Sequence, residues 1–180
     1  DLAMEAFSDG RERCDRDGRM AELGRVMDEP LANWLREPYF LQRAPKSTGR
    51  ELFGRKDLER RLSELQPACR EDQMATLTAF TAAVVARDLQ QLSHFNLPLP
   101  VEMVVAGGGR RNKTLMRELQ SRCLGLRVLP SDNLNLPCES REALVFALLA
   151  WWHHRRHPGN APSITGAERS CVLGVRAEPA

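Results

Sequence analysis

The chain has 180 residues, 42% of them hydrophobic, enough for one domain with a real core or for a large piece of a two-lobed protein. Its 26 basic and 24 acidic residues leave a formal charge of +2, a near balance that argues against a dedicated nucleic-acid binder with a basic stripe. Five scattered cysteines (Cys14, Cys69, Cys123, Cys138 and Cys171), with no CxxC, argue against a disulfide framework or zinc site and fit a reducing cytoplasm.

Residues 1–8 read as the tail of a helix ending at Ser8–Asp9–Gly10. Because Asp1–Leu2–Ala3–Met4 reads like mid-helix and no methionine opens the chain, the expectation is an N-terminally truncated segment. No charged-then-apolar secretory leader opens these residues. The alternating aspartates of Cys14–Asp15–Arg16–Asp17–Gly18 resemble a calcium loop but lack its later acidic ligands, so a solvated turn is expected. Met20 to Met27 and Leu31 to Arg36 predict two short helices, with Pro30 suiting the first turn of the second.

From Glu37 to Glu51 the helical pattern breaks at Pro38, Pro45 and Gly49. Lys46, Ser47, Thr48 and Arg50 place two cations and two hydroxyls in that loop, suited to phosphate or substrate, or simply to solvent. Leu58 to Leu65 predicts a short charged helix closed by Pro67. Glu71 and Asp72 then lead a long amphipathic helix whose apolar face is Met74, Leu77, Val84, Val85, Leu89 and Leu92. Pro98 and Pro100 punctuate the connection to a β-branched strand, Val101 to Val105. Three glycines, Gly107, Gly108 and Gly109, turn the chain into a helix carrying Leu115, Met116, Leu119 and Cys123. Leu126 to Leu129 predicts a second strand. Glu142 to Trp152 is apolar almost all round and predicts a helix buried on most faces. Its apolar core, 143–152, is about half the ~20 residues a membrane span requires. Cys171 to Val175 is a candidate last strand. Alternating helix and strand predict an α/β domain.

The glycine turn is the leading candidate for chemistry. Glycines let backbone approach a ligand closely, and the next helix's first-turn N–H groups suit anions. Gly107 to Thr114 almost forms a P-loop, but Asn112 stands where that pattern needs glycine, and the dinucleotide fingerprint fails at the same position. A nucleotide site of another type is the alternative to a plain turn. Asp132 is a distant candidate for a Mg²⁺ ligand. Glu142 heads the apolar helix, where a carboxylate suits a sugar hydroxyl or a water, or merely the helix dipole. His153 and His157 have metal-pair spacing without a recognisable third ligand, and basic groups at a helix C-terminus need no further reason. Trp151 and Trp152 read as packing surface. No metal site is assigned.

Several stretches together resemble the anhydro-N-acetylmuramic acid kinases. They are Asp15–Arg16–Asp17–Gly18 with Ala21 and Gly24; Pro38–Tyr39–Phe40; Pro45–Lys46–Ser47–Thr48–Gly49–Arg50–Glu51–Leu52–Phe53; and Ala75–Thr76–Leu77–Thr78. After them come Ala106–Gly107–Gly108–Gly109 with Asn112, Leu115 and Met116; Glu142–Ala143–Leu144–Val145–Phe146–Ala147; and Pro162–Ser163–Ile164–Thr165–Gly166–Ala167 with Leu173–Gly174. Ala44 and Val145 depart from the family's usual proline and alanine.

The resemblance implies one ribonuclease H-like lobe of the actin, Hsp70 and sugar-kinase type, helix-rich with a small mixed sheet. It implies the C-terminal part of a two-lobed kinase: 1–95 mostly helical with the 37–51 loop, and 98–180 the nucleotide side. The implied reaction opens the 1,6-anhydro ring with water and transfers the γ-phosphoryl of Mg²⁺-ATP to O6, as in peptidoglycan recycling. It implies nucleotide contact at Gly107, Gly108, Gly109 and Asn112. Glu142 is the implied contact to sugar or water, with Lys46, Ser47 and Arg50 as weaker substrate candidates. The catalytic base, an aspartate in an Asp–Thr–Gly–Pro stretch, is expected upstream of Asp1, so no catalytic residue is assigned here. A cytoplasmic homodimer is the expected full-length form, without nucleic-acid or membrane partners. The alternatives are a member of the same fold with another substrate and a non-catalytic nucleotide-binding module.

Overall fold

The computed structural model describes residues 1–43, 46–92, 100–135 and 140–177. The expected positions Ala44, Pro45, Pro98 and Cys138 lie outside them. Early in the chain come α1 (Leu2–Phe7), a 3₁₀ turn (Arg16–Gly18), α2 (Arg19–Leu23), α3 (Asp28–Trp34), α4 (Pro38–Leu41) and α5 (Arg55–Glu64). The long α6 (Arg70–Gln91) follows.

Helix α6 is the member on which α1, α2, α3 and α7 are hung. Glu71 and Asp72 sit in its first turn, complementing the dipole as expected. Met74 is buried as expected, but most of the other buried positions are small: Ala75, Thr76, Ala79, Ala82, Ala83 and Ala86. The larger Leu77, Val84, Val85, Leu89 and Leu92 are only partly buried. Small side chains let other backbones approach closely, and α2 and α7 pack against α6 most heavily.

Contact with α6 also explains why α2 stops at Leu23 instead of running to Met27. A Cβ on Gly24 would stand 2.0 Å from the Glu71 carbonyl oxygen, so only glycine lets the chain pass there. The chain then runs extended, its N–H groups finding acceptors on α6. Arg25 N donates to Asp72 Oδ1 at 2.7 Å and Met27 N to Thr76 Oγ1 at 3.0 Å.

Where the sequence broke into a loop, Pro38 starts the one-turn helix α4, a position that needs no backbone donor. This turn seats Phe40 in an aromatic core with Trp34, Leu65 and Phe80, flanked by Tyr39 and Phe53. Trp34 and Phe80 meet edge to face at 5.2 Å, as do Phe40 and Phe80 at 5.4 Å.

Strands β1 (Glu102–Val105) and β2 (Arg127–Pro130) pair in parallel, Met103 opposite Val128 and Val104 opposite Leu129. Helix α7 (Lys113–Arg122) makes the crossover that parallel strands require. The sheet is therefore parallel among the described residues, not mixed. The chain ends with α8 (Arg141–His154) and α9 (Pro162–Thr165).

Two expectations fail in this last part. Helix α8 is not buried: Phe146 is 70% exposed and Trp151 57%, because no described element covers most of its apolar circumference. Residues Cys171 to Val175 form no strand. Their backbone partners are a loop and a helix: Gly159 N donates to Cys171 O at 3.0 Å, Cys171 N to Asn160 Oδ1 at 2.7 Å, and Leu173 O meets His153 Nδ1 at 2.9 Å.

Candidate functional site

The C-terminal ends of β1 and β2 lie side by side, which in open α/β sheets is the edge that receives ligands. After β1 the chain passes Gly107, at φ 87° and ψ −177°, a combination essentially reserved for glycine. A 3₁₀ turn, Gly108–Arg111, leads to α7. A Cβ built on Gly107 or Gly108 meets nothing within 4 Å, and one on Gly109 meets only Leu115 Cδ2 at 3.4 Å. The space in front of these glycines is thus open, while φ is special at Gly107 alone. After β2, the turn Ser131–Leu134 carries Asp132, whose Oδ2 stands 2.9 Å from Arg110 Nε. That ion pair, close but without hydrogen-bond alignment of the Nε–H, ties the two strand-end turns together.

Asn112 serves the scaffold. Its Oδ1 accepts from Leu115 N at 2.8 Å, capping α7, a contribution of about 1 kcal/mol. The same side chain packs against Gly18, where a Cβ would fall 2.2 Å from Asn112 Oδ1. Thr114 Oγ1 donates to Gly18 O at 2.9 Å. The Asp15–Gly18 turn is itself tied down, because the Asp15 carboxylate accepts from Met20 N at 2.9 Å and Ala21 N at 3.0 Å. Asp15 therefore shapes a turn, and the turn props the head of α7. Sequence reading missed this support, although the positive-φ glycine after two aspartates was its trace.

Lys46, Ser47 and Arg50 lie in a second region. Lys46 is drawn onto α6, its Nζ 3.1 Å from Asp88 Oδ1 and 5.1 Å from the centre of the Tyr39 ring. Ser47 and Arg50 are exposed. Arg50 lines an open concavity of about 780 Å³ with Glu51, Phe53, Lys56 and Arg60. Behind it stands a dense charged cluster. Arg61, 2% exposed, lies against the touching rings of Trp34 and Phe80, with its guanidinium carbon 4.8 and 4.5 Å from their ring centres. It bonds Asp57 at 2.8 Å and Glu37 at 2.7 Å.

Burial works against the Arg60 charge, but bonds to Glu64, Asp57 and Glu37 outweigh it and raise the guanidinium's pKa. Burial likewise pushes Glu64 up, yet the Trp34 Nε1 hydrogen bond of 2.6 Å and Arg60 hold it below the ordinary glutamate value. This cluster fixes α5 against α3 and α4.

Glu142 occupies the first turn of α8 and is exposed. His153 and His157 do not converge: His153 meets the Leu173 carbonyl, and the His157 ring packs on Trp152. Among the described residues, no group of three or more His, Cys, Asp or Glu is placed to hold a metal. Cys14, Cys69, Cys123 and Cys171 are free, and burial pushes the Cys123 thiol up, away from reactivity. No described helix is long and apolar enough to cross a membrane.

A parallel βαβ unit with an open glycine turn at its strand ends, packed through α7 against the long α6, makes this a helix-rich α/β structure consistent with one lobe of a kinase. A family model for anhydro-N-acetylmuramic acid kinase matches residues 1–178. Similar proteins carry the same name. That of Synechococcus sp. strain CC9311 is 63% identical over 180 residues, covering 100% of this chain and 47% of the relative. That of Parasynechococcus marenigrum strain WH8102 is 62% identical, covering 48% of the relative, and that of Prochlorococcus marinus strain MIT 9211 is 44% identical, covering 47%. The chain belongs to the anhydro-N-acetylmuramic acid kinase family. It spans about half the length of the curated relatives it matches.

Proposed function

We propose that this chain is the C-terminal part of a two-lobed kinase with the actin, Hsp70 and sugar-kinase fold. The whole enzyme opens 1,6-anhydro-N-acetylmuramic acid with water and phosphorylates its O6 from ATP, in peptidoglycan recycling. The observation that carries this reading is the family match over residues 1–178. Within the chain, 1–95 forms the helical part with the 37–51 loop, and 98–180 the nucleotide side.

Gly107, Gly108 and Gly109 take the adenosine part of ATP. The open space at Gly107 and Gly108 suits a flat group lying against bare backbone. Asn112 acts there through the cap that fixes the turn. Glu142 faces the sugar or the attacking water, and Lys46, Ser47 and Arg50 are secondary substrate candidates. Of these, Arg50 fits best, because Lys46 is already held by Asp88.

ATP supplies the phosphoryl group. The Mg²⁺ expected with it finds no cluster of three or more ligands among the described residues. An Asp–Thr–Gly–Pro stretch, the expected source of the general base, does not occur in residues 1–180. The isolated chain is therefore expected to be inactive, and the whole enzyme to act as a cytoplasmic homodimer.

The test uses a chimera joining the complementary half of the Synechococcus sp. CC9311 relative to this chain. ATP-dependent phosphorylation of the anhydro-sugar by the chimera, and none by the isolated chain, is expected. Calorimetric titration with ATP then compares the chimera with its Gly108→Val variant. Valine fits the unliganded turn, since nothing lies within 4 Å of its Cβ and φ is not positive, so lost binding reports a clash with nucleotide. Equal ATP binding by both would remove the glycines from the site. Binding without sugar turnover would favour the non-catalytic alternative.

A further inference from the structure

Helix α8 is apolar on every side, yet it lies largely in solvent. Among the described residues, its dressed side faces the 159–173 segment. His153 meets the Leu173 carbonyl at 2.9 Å, and Gly159 sits close enough to Leu149 and Leu173 that a Cβ would lie within 3.1–3.3 Å of both. Leu149 and His153, four residues apart, thus mark a face covered at its C-terminal end, while Phe146, one turn earlier on that face, is 70% exposed. Leu144, Leu148 and Trp151 follow i, i+4, i+7 spacing on the far side of the helix and are 49%, 44% and 57% exposed. A helix hydrophobic all round belongs in the interior of a larger body.

A second surface is bare in the same way. Parallel sheets are covered on both faces, yet Val104 is 41% exposed and Val101, just before β1, is 76% exposed. The curated relatives extend beyond their match to this chain by about as much again. That length is the natural cover for both surfaces. A symmetric second copy would present the same patch to itself and need a separate contact for the other.

We propose that the Leu144–Leu148–Trp151 face of α8 is a docking surface for the half of the kinase that this chain does not span. The inference rests on family membership and relative length, not on the proposed chemistry, and its test reads no enzyme activity. The chain is co-expressed with the tagged complementary half of the Synechococcus sp. CC9311 relative. A complex of one copy of each is expected by light scattering, with hydrogen exchange across 144–151 slowed at least about tenfold relative to the chain alone, as for helices sheltered in a larger core. Leu148→Asp and Trp151→Glu change exposed side chains, so the isolated variants keep their helical circular dichroism while failing to hold the partner.

Co-purification unaffected by both variants, or unchanged exchange across 144–151 in the complex, overturns the proposal. So does a dimer of the chain alone that Leu148→Asp breaks and the complementary half does not displace, which assigns the face to a second copy. If the halves do not associate in trans, the same exchange measurement is made on the covalent chimera. Exchange across 144–151 as fast there as in the isolated chain overturns the proposal equally.

Discussion

Thr114 Oγ1 donates a 2.9 Å hydrogen bond to the Gly18 carbonyl across 96 residues of sequence, joining the Asp15–Gly18 turn to the helix behind the glycines. Thr114 is 4% exposed, so replacing it with valine leaves that carbonyl without its partner. Thr114→Val is expected to cost about 1–3 kcal/mol in urea unfolding. Gly18→Ala is expected to cost more, since φ is +75° and the new Cβ would fall 2.2 Å from Asn112 Oδ1. A smaller loss for Gly18→Ala than for Thr114→Val would mean that the turn yields easily.

Gly107 and Gly108 should separate cleanly without any ligand. Gly107→Ala places a side chain at φ 87°, ψ −177° and is expected to destabilise by about 1–3 kcal/mol. Gly108→Ala meets neither strain nor neighbour and should stay within about 0.5 kcal/mol of the parent. Chemical denaturation of both variants checks this, and equal losses would contradict it.

Much of this architecture is legible in the sequence, but only where the cause is local. The 3.6 period and the acidic head announce α6, and the β-branched run, glycines and helical spacing announce the β1–α7 unit. The end of α2 at Leu23 is set by Glu71, almost fifty residues later, and no window around Gly24 contains that contact. Lys46 looks like a ligand group because its partner, Asp88, lies 42 residues away. Asn112 defeats two phosphate-loop patterns for a reason invisible locally: it caps α7 and rests on Gly18. For α8 the sequence tells truly that every side is apolar. Burial needs a partner, and apolarity does not supply one.

Arg61 gives a third prediction. Its charge lies against two aromatic rings and is bonded to Asp57 and Glu37. Arg61→Leu takes from both carboxylates one of their two guanidinium partners beside the aromatic core. Removing one partner of a fully buried pair costs about 3–5 kcal/mol; here about 2 kcal/mol is expected, because Arg60 still reaches both acids. Arg61→Lys should not recover it, lacking the planar fork that serves both acids and rings at once. Thermal melts of the two variants decide.

Glu64 gives a pH dependence. Its folded-state pKa lies below the ordinary 4.5 because bonds from Trp34 and Arg60 outweigh the opposing effect of burial. It therefore adds stability above the unfolded value, and that part is lost as pH falls through the lower folded value. Glu64→Gln should flatten the decline in melting temperature below about pH 4.5, the unfolded value, while leaving the neutral-pH core packed. An unchanged acid limb would assign the decline to other carboxylates.

Asp72 and Asp88 hold two separate segments from opposite ends of one helix: Asp72 accepts from Arg25 N in the extended run after α2, and Asp88 holds Lys46. Sixteen residues of α-helix put them about 24 Å apart along the axis. The distance between these two anchored segments is thus written as a residue count, and its phase as a rotation. One residue inserted between them would lengthen the span by only about 1.5 Å but turn one anchor by about 100° relative to the other. Substitutions along α6 can be absorbed one at a time, whereas a single insertion or deletion would misalign both ends together.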